Sequence, residues 1–360
     1  MTKAGFSTRR AAEAALREAL AREDLEIVLA HGLTTGDYLR QWLDSKLRLR
    51  ATTRTSYESH LRLYLVPHLG HVRLTELRPQ HLDRMYAAMT TTAQGRLRSP
   101  STIRRVHATL RSALNSAVKR RLIAWSPAVH VELPSPDAPE AAVWSPDEVE
   151  TFLKAHADHR LYALFHLIVV AGLRRGEALG LRWVDVDLGQ RTIRVRQQLL
   201  DAPGSPVFGP TKTRSGVRRV PLDAATIDVL EAHRQQQDAE AAQARAVGVW
   251  TASGLVFTRE DGRWLRPDWV SHEFQRMISV AGVPALRLHD LRHTSASLAL
   301  AAGVPMKVVS ARLGHSSLAI TADLYTHVSP AVADEAADRI GSLVRGRDRT
   351  IQHRPDGQSP

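Results

Sequence analysis

Four short segments of this chain contain residue types that suit attack on a phosphodiester. In chain order they are Ala171–Glu177 (Ala-Gly-Leu-Arg-Arg-Gly-Glu), Thr211–Thr213 (Thr-Lys-Thr), His289–His293 (His-Asp-Leu-Arg-His) and Leu313–His327 (Leu-Gly-His through Tyr-Thr-His). Arginine and lysine can neutralise charge on a transferring phosphoryl group, because both donate charge-assisted hydrogen bonds to its oxygens. A tyrosine hydroxyl can be a covalent nucleophile. The set therefore predicts a phosphoryl-transfer site.

Each segment taken alone also fits a structural interpretation. Arg174 and Glu177 are three residues apart, so they can form an ion pair on a helix surface. His289 and His293 are four apart on the predicted helix, which leaves a helix-capping cluster or a metal site open. A metal site is disfavoured because Arg292 lies between them and repels a cation, and the glutamate of a His-Glu-x-x-His zinc motif is missing.

Lys212 and Tyr325 are predicted on different elements. Ser215-Gly216 is a turn sequence before the strand Val217–Leu222, so Lys212 is expected on a flexible β-hairpin. There a lysine can donate a proton to a departing oxygen, although a loop lysine is more often simply solvated. Tyr325 lies on a helical apolar stripe, where a tyrosine is more often a core residue.

The four segments together resemble the tyrosine recombinase (phage integrase) family, whose hallmark is Arg…Lys…His-x-x-Arg…His…Tyr in this chain order. The likeness covers residues 34–340, and the Leu-Gly-His-Ser-Ser stretch and the Tyr-Thr-His ending match the family's last motif. The resemblance implies six catalytic residues: Arg174, Lys212, His289, Arg292, His315 and Tyr325. It implies that Glu177 is a supporting acid and assigns no clear role to His293.

The resemblance also implies an activity and its partners. The expected enzyme is a site-specific DNA recombinase that holds cleaved DNA as a 3′-phosphotyrosyl ester and integrates or excises a phage or mobile element. It needs no metal and no cofactor. It acts on double-stranded DNA at attachment-type sites as a homotetramer, with a host or phage accessory factor for bending or directionality as a further candidate partner.

Two other functions remain open at this point. A type IB topoisomerase would use almost the same residues to relax one duplex, and monomers that relax supercoiled plasmid without strand exchange would indicate it. A non-enzymatic DNA-binding protein would not need Tyr325. The basic helical first half and the Leu-Gly-His-Ser-Ser motif favour the recombinase.

The distribution of charge predicts a DNA-binding module in the first part of the chain. Residues 1–133 contain 22 Lys/Arg and 11 Asp/Glu, whereas residues 134–360 contain 27 and 26. A polycationic module can bind DNA by neutralising phosphates and releasing counterions, although a solvated basic surface or attraction to an anionic membrane gives the same charge. The 360 residues include no cysteine, no apolar run long enough for a bilayer and no signal-peptide pattern, so we expect a soluble cytoplasmic protein.

Apolar periodicity and proline content predict two domains, mainly helical with a small antiparallel β-sheet. A helical domain is expected over 32–125, an extended proline-rich linker over 126–143, a mixed α+β domain over 144–342, and a polar disordered tail over 343–360. The family resemblance implies that the first is a SAM-like core-binding domain and the second the catalytic domain. In the first domain, helices are expected at 37–47, 52–65, 79–89 and 99–122. Strand candidates in the second domain are 192–196, 217–222 and 255–257.

Basic residues off the apolar stripe of the longest first-domain helix are the candidates for DNA contact. They are Arg104, Arg105, Arg111 and Lys119, with Arg214 from the predicted hairpin. Arg218 is expected to contact the DNA backbone or to lie at the plain surface. Residues 1–31 are expected to form a helix whose start resembles the end of an arm-site-binding domain, and the strands that precede it in the family are expected either to be missing from the protein or to lie upstream of Met1.

Overall fold

The computed structural model describes residues 32–91, 95, 97–135, 142–200, 207–211, 214–315, 317, 318, 322 and 341. The predictions for residues 1–31, for the helical stripe of Tyr325 and for the tail lie largely or wholly outside them. The chain divides into two compact units, Met1–Pro139 and Glu140–Pro360. Within the described part of the chain, no helix combines the length and the apolar character needed to cross a membrane.

The first unit is helical in all its described regular structure. Its α-helices are α1 (Thr35–Asp44), α2 (Ala51–His60), α3 (Val66–Leu69), α4 (Pro79–Met89) and α5 (Pro100–Lys119), and a π-helical turn (Leu61–Leu65) joins α2 to α3. Proline at the first turn of α4 and α5 suits the helix start, where its missing N–H costs no hydrogen bond. Buried Leu, Met, Ile and Val side chains of α1, α4 and α5 form its core, with Trp42 and Tyr38 at the centre.

Part of the predicted extended linker belongs to the first unit. Pro127–Val129 form a 3₁₀ helix, and Ala128 is buried in the first-unit core. Proline blocks an α-helix but is compatible with such a turn, so a proline-rich composition did not specify an extended chain here. The expected helix to Leu122 ends at Lys119, where Arg121 takes a positive φ of 59°.

The second unit packs helices around two small antiparallel sheets. Its α-helices are α6 (Pro146–Ala155), α7 (Tyr162–Ala171), α8 (Arg175–Leu179), α9 (Ala224–Ala246), α10 (Pro267–Ala281), α11 (Leu291–Ala301) and α12 (Met306–Leu313). Its strands are β1 (Val186–Asp187), β2 (Thr192–Val195), β3 (Gln197–Leu200), β4 (Val207–Pro210) and β5 (Arg218–Pro221). One sheet has the order β1-β2-β5 and the other is the β3–β4 hairpin. The prediction of a mainly α fold with small antiparallel sheets is confirmed.

Two strand predictions differ from the structure. Leu255–Phe257 is buried but forms only an isolated bridge from Leu255 to Arg182, because it crosses the core without a partner strand. The β3–β4 hairpin was not predicted, since Gln197–Leu200 shows no alternation of polar and apolar residues. Helix α7, by contrast, is apolar on nearly every side and lies at the centre of the second-unit core.

Candidate active site

Arg174 sits at the tight turn between α7 and α8. Helix α7 ends at Gly172, whose φ of 63° reverses the chain and favours glycine. Arg174 is the N-cap residue of α8, and its backbone N–H donates to Glu177 Oε2 (3.1 Å) while its Nη1 donates to Glu177 Oε1 (2.6 Å). One carboxylate therefore caps the helix and holds the guanidinium, which stays 25% exposed.

Glu177 has a second arginine partner that the sequence analysis placed elsewhere. Arg218 Nη2 donates to Glu177 Oε2 at 3.0 Å, and the two side chains are only 6% and 1% exposed. Burial alone would raise the pKa of Glu177, but the charges and hydrogen bonds of Arg218 and Arg174 outweigh it and hold that pKa below its usual range. Glu177 is thus a buried carboxylate shared by two guanidinium groups.

The expectation that Arg218 contacts DNA or lies at the plain surface is corrected by its position inside the protein. The sequence signal that could have indicated the burial of Arg218 is the period of two in β5, where Arg218 shares a face with the fully buried Val220. An arginine on the buried face of a strand requires an acidic or carbonyl partner. The sequence did not show that this partner is Glu177, 41 residues earlier.

Among the candidate cations that the structure describes, Arg292 is the most buried, at 3% exposure. Its Nη1 donates to the carbonyl of Gly172 and its Nη2 to the carbonyl of Leu313, both at 2.6 Å. Burial, followed by the positive charge of Arg174, lowers the pKa of Arg292 to about 9. The side chain therefore connects the turn before Arg174 to the end of α12.

The Leu313–His315 segment meets the two arginines at consecutive carbonyl groups. Arg174 Nη2 donates to the Gly314 carbonyl (3.3 Å), next to the Leu313 carbonyl that accepts from Arg292. Gly314 has a φ of 69°, and a methyl group there would lie 2.7 Å from the Ser215 carbonyl oxygen, so glycine is required. Burial, followed by the charges of Arg292 and Arg174, lowers the pKa of His315 to about 4. His315 is therefore neutral at pH 7.

His289 lies in the 3₁₀ turn Leu288–Asp290 and His293 in the first turn of α11, with ring centroids 5.4 Å apart and ring planes at 90°. Burial lowers the pKa of His289, and the neighbouring His293 and Arg292 lower it further, although the exposed edge of His289 lets solvent screen part of this shift. Burial also lowers the pKa of His293, whose Nδ1 is buried and has no hydrogen-bond partner among the described residues. Asp290 is engaged by Arg287 at 2.7 and 2.9 Å. Of the three cationic or titratable candidates in this motif, Arg292 is the one that the structure buries.

The residues that the structure brings together are Arg174, Glu177, Arg292 and His315, with Arg218 added. Two guanidinium groups, those of Arg174 and Arg218, pair with the one carboxylate of Glu177, and the charge of Arg292 acts on the same site, so the site has surplus positive charge next to a neutral imidazole. Such an arrangement is suited to an anion with several oxygens. Among the described residues, no group of three or more His, Asp or Glu is placed to hold a metal ion. Lys212 and Tyr325 lie outside the described residues.

The candidate DNA-contact residues of α5 are exposed and share one face. At 3.6 residues per turn they fall within about a third of the helix circumference, opposite the side that includes the buried Val106, Leu110 and Ala113. These are Arg104, Arg105, Arg111 and Lys119. Arg104 also donates to the carbonyl of Pro134 (2.9 Å). The Arg214 side chain is not described.

Comparison with known proteins gives matches over both units. The profile of the phage integrase family matches residues 143–331, and that of the phage integrase N-terminal SAM-like domain matches residues 34–89. A tyrosine recombinase XerC-like protein of Caldanaerobacter subterraneus subsp. tengcongensis is 31% identical over 86% of this chain and 83% of its own. The integrase of Mycobacterium phage L5 is 29% identical over 80% of this chain and 74% of its own.

Solved structures share the fold. The Tn1549 transposon integrase in complex with transposon right end DNA has a TM-score of 0.73 at 20% identity, covering 86% of this chain and 100% of that chain. A lambda integrase dimer bound to a core site has a TM-score of 0.58 at 16% identity, covering 81% and 77%. The prediction of a SAM-like domain followed by a recombinase catalytic fold is confirmed. Since the family profile spans more than half of the sequence and a relative is 31% identical along most of it, the chain belongs to the phage integrase family.

Proposed function

We propose that this protein is a site-specific DNA recombinase that integrates or excises a phage or mobile element through a 3′-phosphotyrosyl intermediate. The observation that supports this most directly is the meeting of three distant segments at one positively charged site. Arg174 and Arg292 donate to the adjacent carbonyls of Gly314 and Leu313, and neutral His315 follows immediately. These groups can neutralise the charge on the oxygens of a phosphodiester while its phosphoryl group is transferred.

Each candidate catalytic residue has its own role in the cleavage reaction. The hydroxyl of Tyr325 gives up its proton to solvent as its oxygen attacks the scissile phosphorus, the new Tyr–O–P bond forms, and the bond from phosphorus to the 5′ oxygen breaks. Arg174 and Arg292 neutralise the non-bridging oxygens, and the imidazole N–H groups of His289 and His315 donate hydrogen bonds to them. Lys212 gives a proton to the 5′ oxygen as it leaves. Attack by a 5′ hydroxyl of another strand reverses these events and rejoins the DNA.

Glu177 supports this chemistry without touching the substrate. Its carboxylate fixes Arg174 through two hydrogen bonds, one to the side chain and one to the backbone. A guanidinium held in one orientation loses little entropy when it binds a phosphate, so a fixed arginine stabilises the transition state more than a mobile one. Metal-independence is part of the proposal, because the arginines supply the positive charge that a metal ion would otherwise provide.

The partner is double-stranded DNA with attachment-type sites. The exposed basic face of α5 suits contact with phosphates, because Arg104, Arg105, Arg111 and Lys119 point away from the core of their domain. Arg214 is a further candidate for such contact. We propose a homotetramer on two DNA sites and, as a candidate partner, an accessory factor for bending or directionality. Mass photometry with and without paired sites tests the assembly.

The test of the proposal uses a DNA substrate nicked near the cleavage point, which traps any covalent adduct on a denaturing gel. The full-length protein should form the adduct in excess EDTA, and Tyr325→Phe should bind the same DNA but form none, since only the hydroxyl is lost. Tyr162→Phe is the matched control, because Tyr162 is the other tyrosine of the second unit. An adduct that persists in Tyr325→Phe would contradict the assignment of the nucleophile, and activity restored only by a divalent ion would contradict metal-independence.

A further inference from the structure

Arg218 joins three segments of the second unit through its three guanidinium nitrogens. Nε donates to the Arg312 carbonyl (2.6 Å), Nη1 to the Gly216 carbonyl (3.1 Å) and Nη2 to Glu177 Oε2 (3.0 Å). The side chain is 6% exposed, so it is not available as a surface contact. Its position in β5 therefore ties the end of α12 to the carboxylate that holds Arg174.

The charge of Arg218 changes what Arg174 can do. Glu177 is the one carboxylate that either guanidinium contacts among the described residues, and both share it. Without Arg218, the whole negative charge of Glu177 would be balanced by Arg174 alone. Ion pairing in a buried site is strong, so Arg174 would then have less positive charge to offer a bound phosphate. With Arg218 present, the trio keeps a net positive charge beside the exposed edge of Arg174.

The hydrogen bond from Arg218 to the Arg312 carbonyl also places the Arg218 side chain close to Gly314 and His315. A methyl group at Gly314 would lie 3.1 Å from both Cδ and Nη1 of Arg218, so the backbone of Gly314 packs directly on this side chain. Gly314 is the residue whose carbonyl accepts from Arg174, and His315 follows it. The single side chain therefore fixes the spacing between Arg174 and the Gly314–His315 turn.

We propose that Arg218 is a positioning residue that neutralises Glu177 and braces the Gly314–His315 turn, so that Arg174 keeps its positive charge and orientation for the scissile phosphate. This inference rests on the proposed recombinase function. It concerns described residues only, and Arg218 itself does not touch the substrate.

The experiment compares cleavage of two nicked substrates by Arg218→Met and Arg218→Lys. One substrate has the natural scissile phosphate and the other an uncharged methylphosphonate at that position. On the natural phosphate, Arg218→Met should cleave about tenfold more slowly, less than the roughly 10²–10³-fold expected for loss of a direct contact to the developing charge. On the methylphosphonate the defect should largely vanish, because less charge then needs to be neutralised. Arg174→Ala should show the same recovery.

A control variant and two further measurements complete the test. Arg194→Met is the matched control, since Arg194 is exposed on β2 of the same sheet and should cleave both substrates like the wild type. The titration of the His315 ring, followed by NMR without DNA, should move to higher pH in Arg218→Met, because a neighbouring positive charge is removed. Thermal unfolding of each variant is recorded first.

The outcomes separate the inference from the function on which it rests. If the wild type forms no adduct on either substrate, the proposed function is wrong, and the His315 titration still tests the position of Arg218. The inference is overturned if the wild type cleaves but each Arg218 variant is impaired as much on the methylphosphonate as on the natural phosphate, because Arg218 is then only structural. It is overturned likewise if neither variant folds. Cleavage by Arg218→Met at the wild-type rate would overturn it as well.

Discussion

The geometry of the candidate active site depends most on Glu177, whose carboxylate is buried. It receives two hydrogen bonds from Arg174 and one from Arg218, and these bring together the start of α8 and the start of β5. Removing one partner of a buried ion pair leaves an uncompensated charge, which costs much more than the pair itself contributes. The residue is therefore expected to matter for folding as well as for the site.

Glu177→Gln should lower the free energy of unfolding by about 3–5 kcal/mol, because the neutral amide leaves the buried guanidinium of Arg218 and the half-buried one of Arg174 without a counter-charge. Urea denaturation measures the change. Glu150→Gln is the control, since Glu150 forms an exposed ion pair with Lys154 that should contribute at most about 1 kcal/mol. Equal effects of the two substitutions would contradict the central place of Glu177.

His315 should link DNA binding to proton uptake. Its folded-state pKa of about 4 lies below the ordinary value of 6.5. Between these values the unfolded chain binds a proton that the folded protein does not, so stability is full above pH 6.5 and falls as the pH drops toward 4. A bound phosphate brings negative charge that favours the protonated ring and raises this pKa. Binding of DNA near pH 5.5 should therefore take up protons and tighten as the pH falls from 6.5.

Isothermal titration calorimetry in buffers of different ionisation enthalpy measures that uptake. His315→Gln should take up fewer protons than the wild type at pH 5.5, while His289 and His293 remain in both proteins. An unchanged uptake would show that His315 does not face the phosphate.

Among the elements, α8 and the β3–β4 hairpin are built against each other. A methyl group at Gly176 would lie 2.7 Å from the Leu199 carbonyl oxygen, and one at Gly180 would lie 2.9 Å from Gln198 Cα. Gln197 Nε2 donates to the Gly180 carbonyl at 2.8 Å. The two glycines, four residues apart, give α8 a flat side on which β3 rests, so the hairpin is fixed to the helix that Arg174 caps.

Gly176→Ala should therefore destabilise the protein by about 1–3 kcal/mol, because the added methyl group forces β3 away from α8. Gly189→Ala is the control, since a methyl group there meets only Asp187 Oδ1 at 3.7 Å and should change stability by less than about 0.5 kcal/mol. Chemical denaturation of both variants measures the difference. If Gly176→Ala is as stable as the wild type, β3 does not rest on the helix.

For the molecule as a whole, charge is divided unevenly along the chain. The excess of basic residues lies in residues 1–133, and the exposed face of α5 holds four of them in one arc. Because such an arc neutralises phosphates and releases their counterions, we expect it to contribute much of the affinity for DNA but little of the sequence preference.

Arg105→Gln and Arg111→Gln should each reduce the slope of log K against log salt by about one, and weaken binding similarly for every DNA sequence. Arg54→Gln is the control, because the charge of Arg54 is already paired with Glu58 and Asp44. Fluorescence anisotropy of the full-length protein across a salt series measures the slopes. A slope that is unchanged in both test variants would show that this face of α5 does not contact DNA.

Local pattern in the sequence was sufficient for the helices and for the order of the chemical motifs. Apolar residues at helical spacing predict α4 and α5, because this signal depends on neighbours within a few residues. The order Arg174, His289, Arg292, His315 indicated the chemistry for the same reason, since each short motif stands complete in the sequence.

Only the tertiary structure decided which distant groups become partners. The spacing of Arg218 from the buried Val220 indicates the buried face of β5, but it does not indicate that Glu177 is the partner. Leu255–Phe257 has the composition of a strand but no strand beside it, and the polar Gln197 belongs to a hairpin because it lies against Gly180. The periodicity of apolar residues indicates which face of a helix or strand is buried. Which distant segments pair with each other depends on which of them lie close together after folding. For that reason the types of the candidate catalytic residues could be predicted from the sequence, but the charge balance that tunes Arg174 could not.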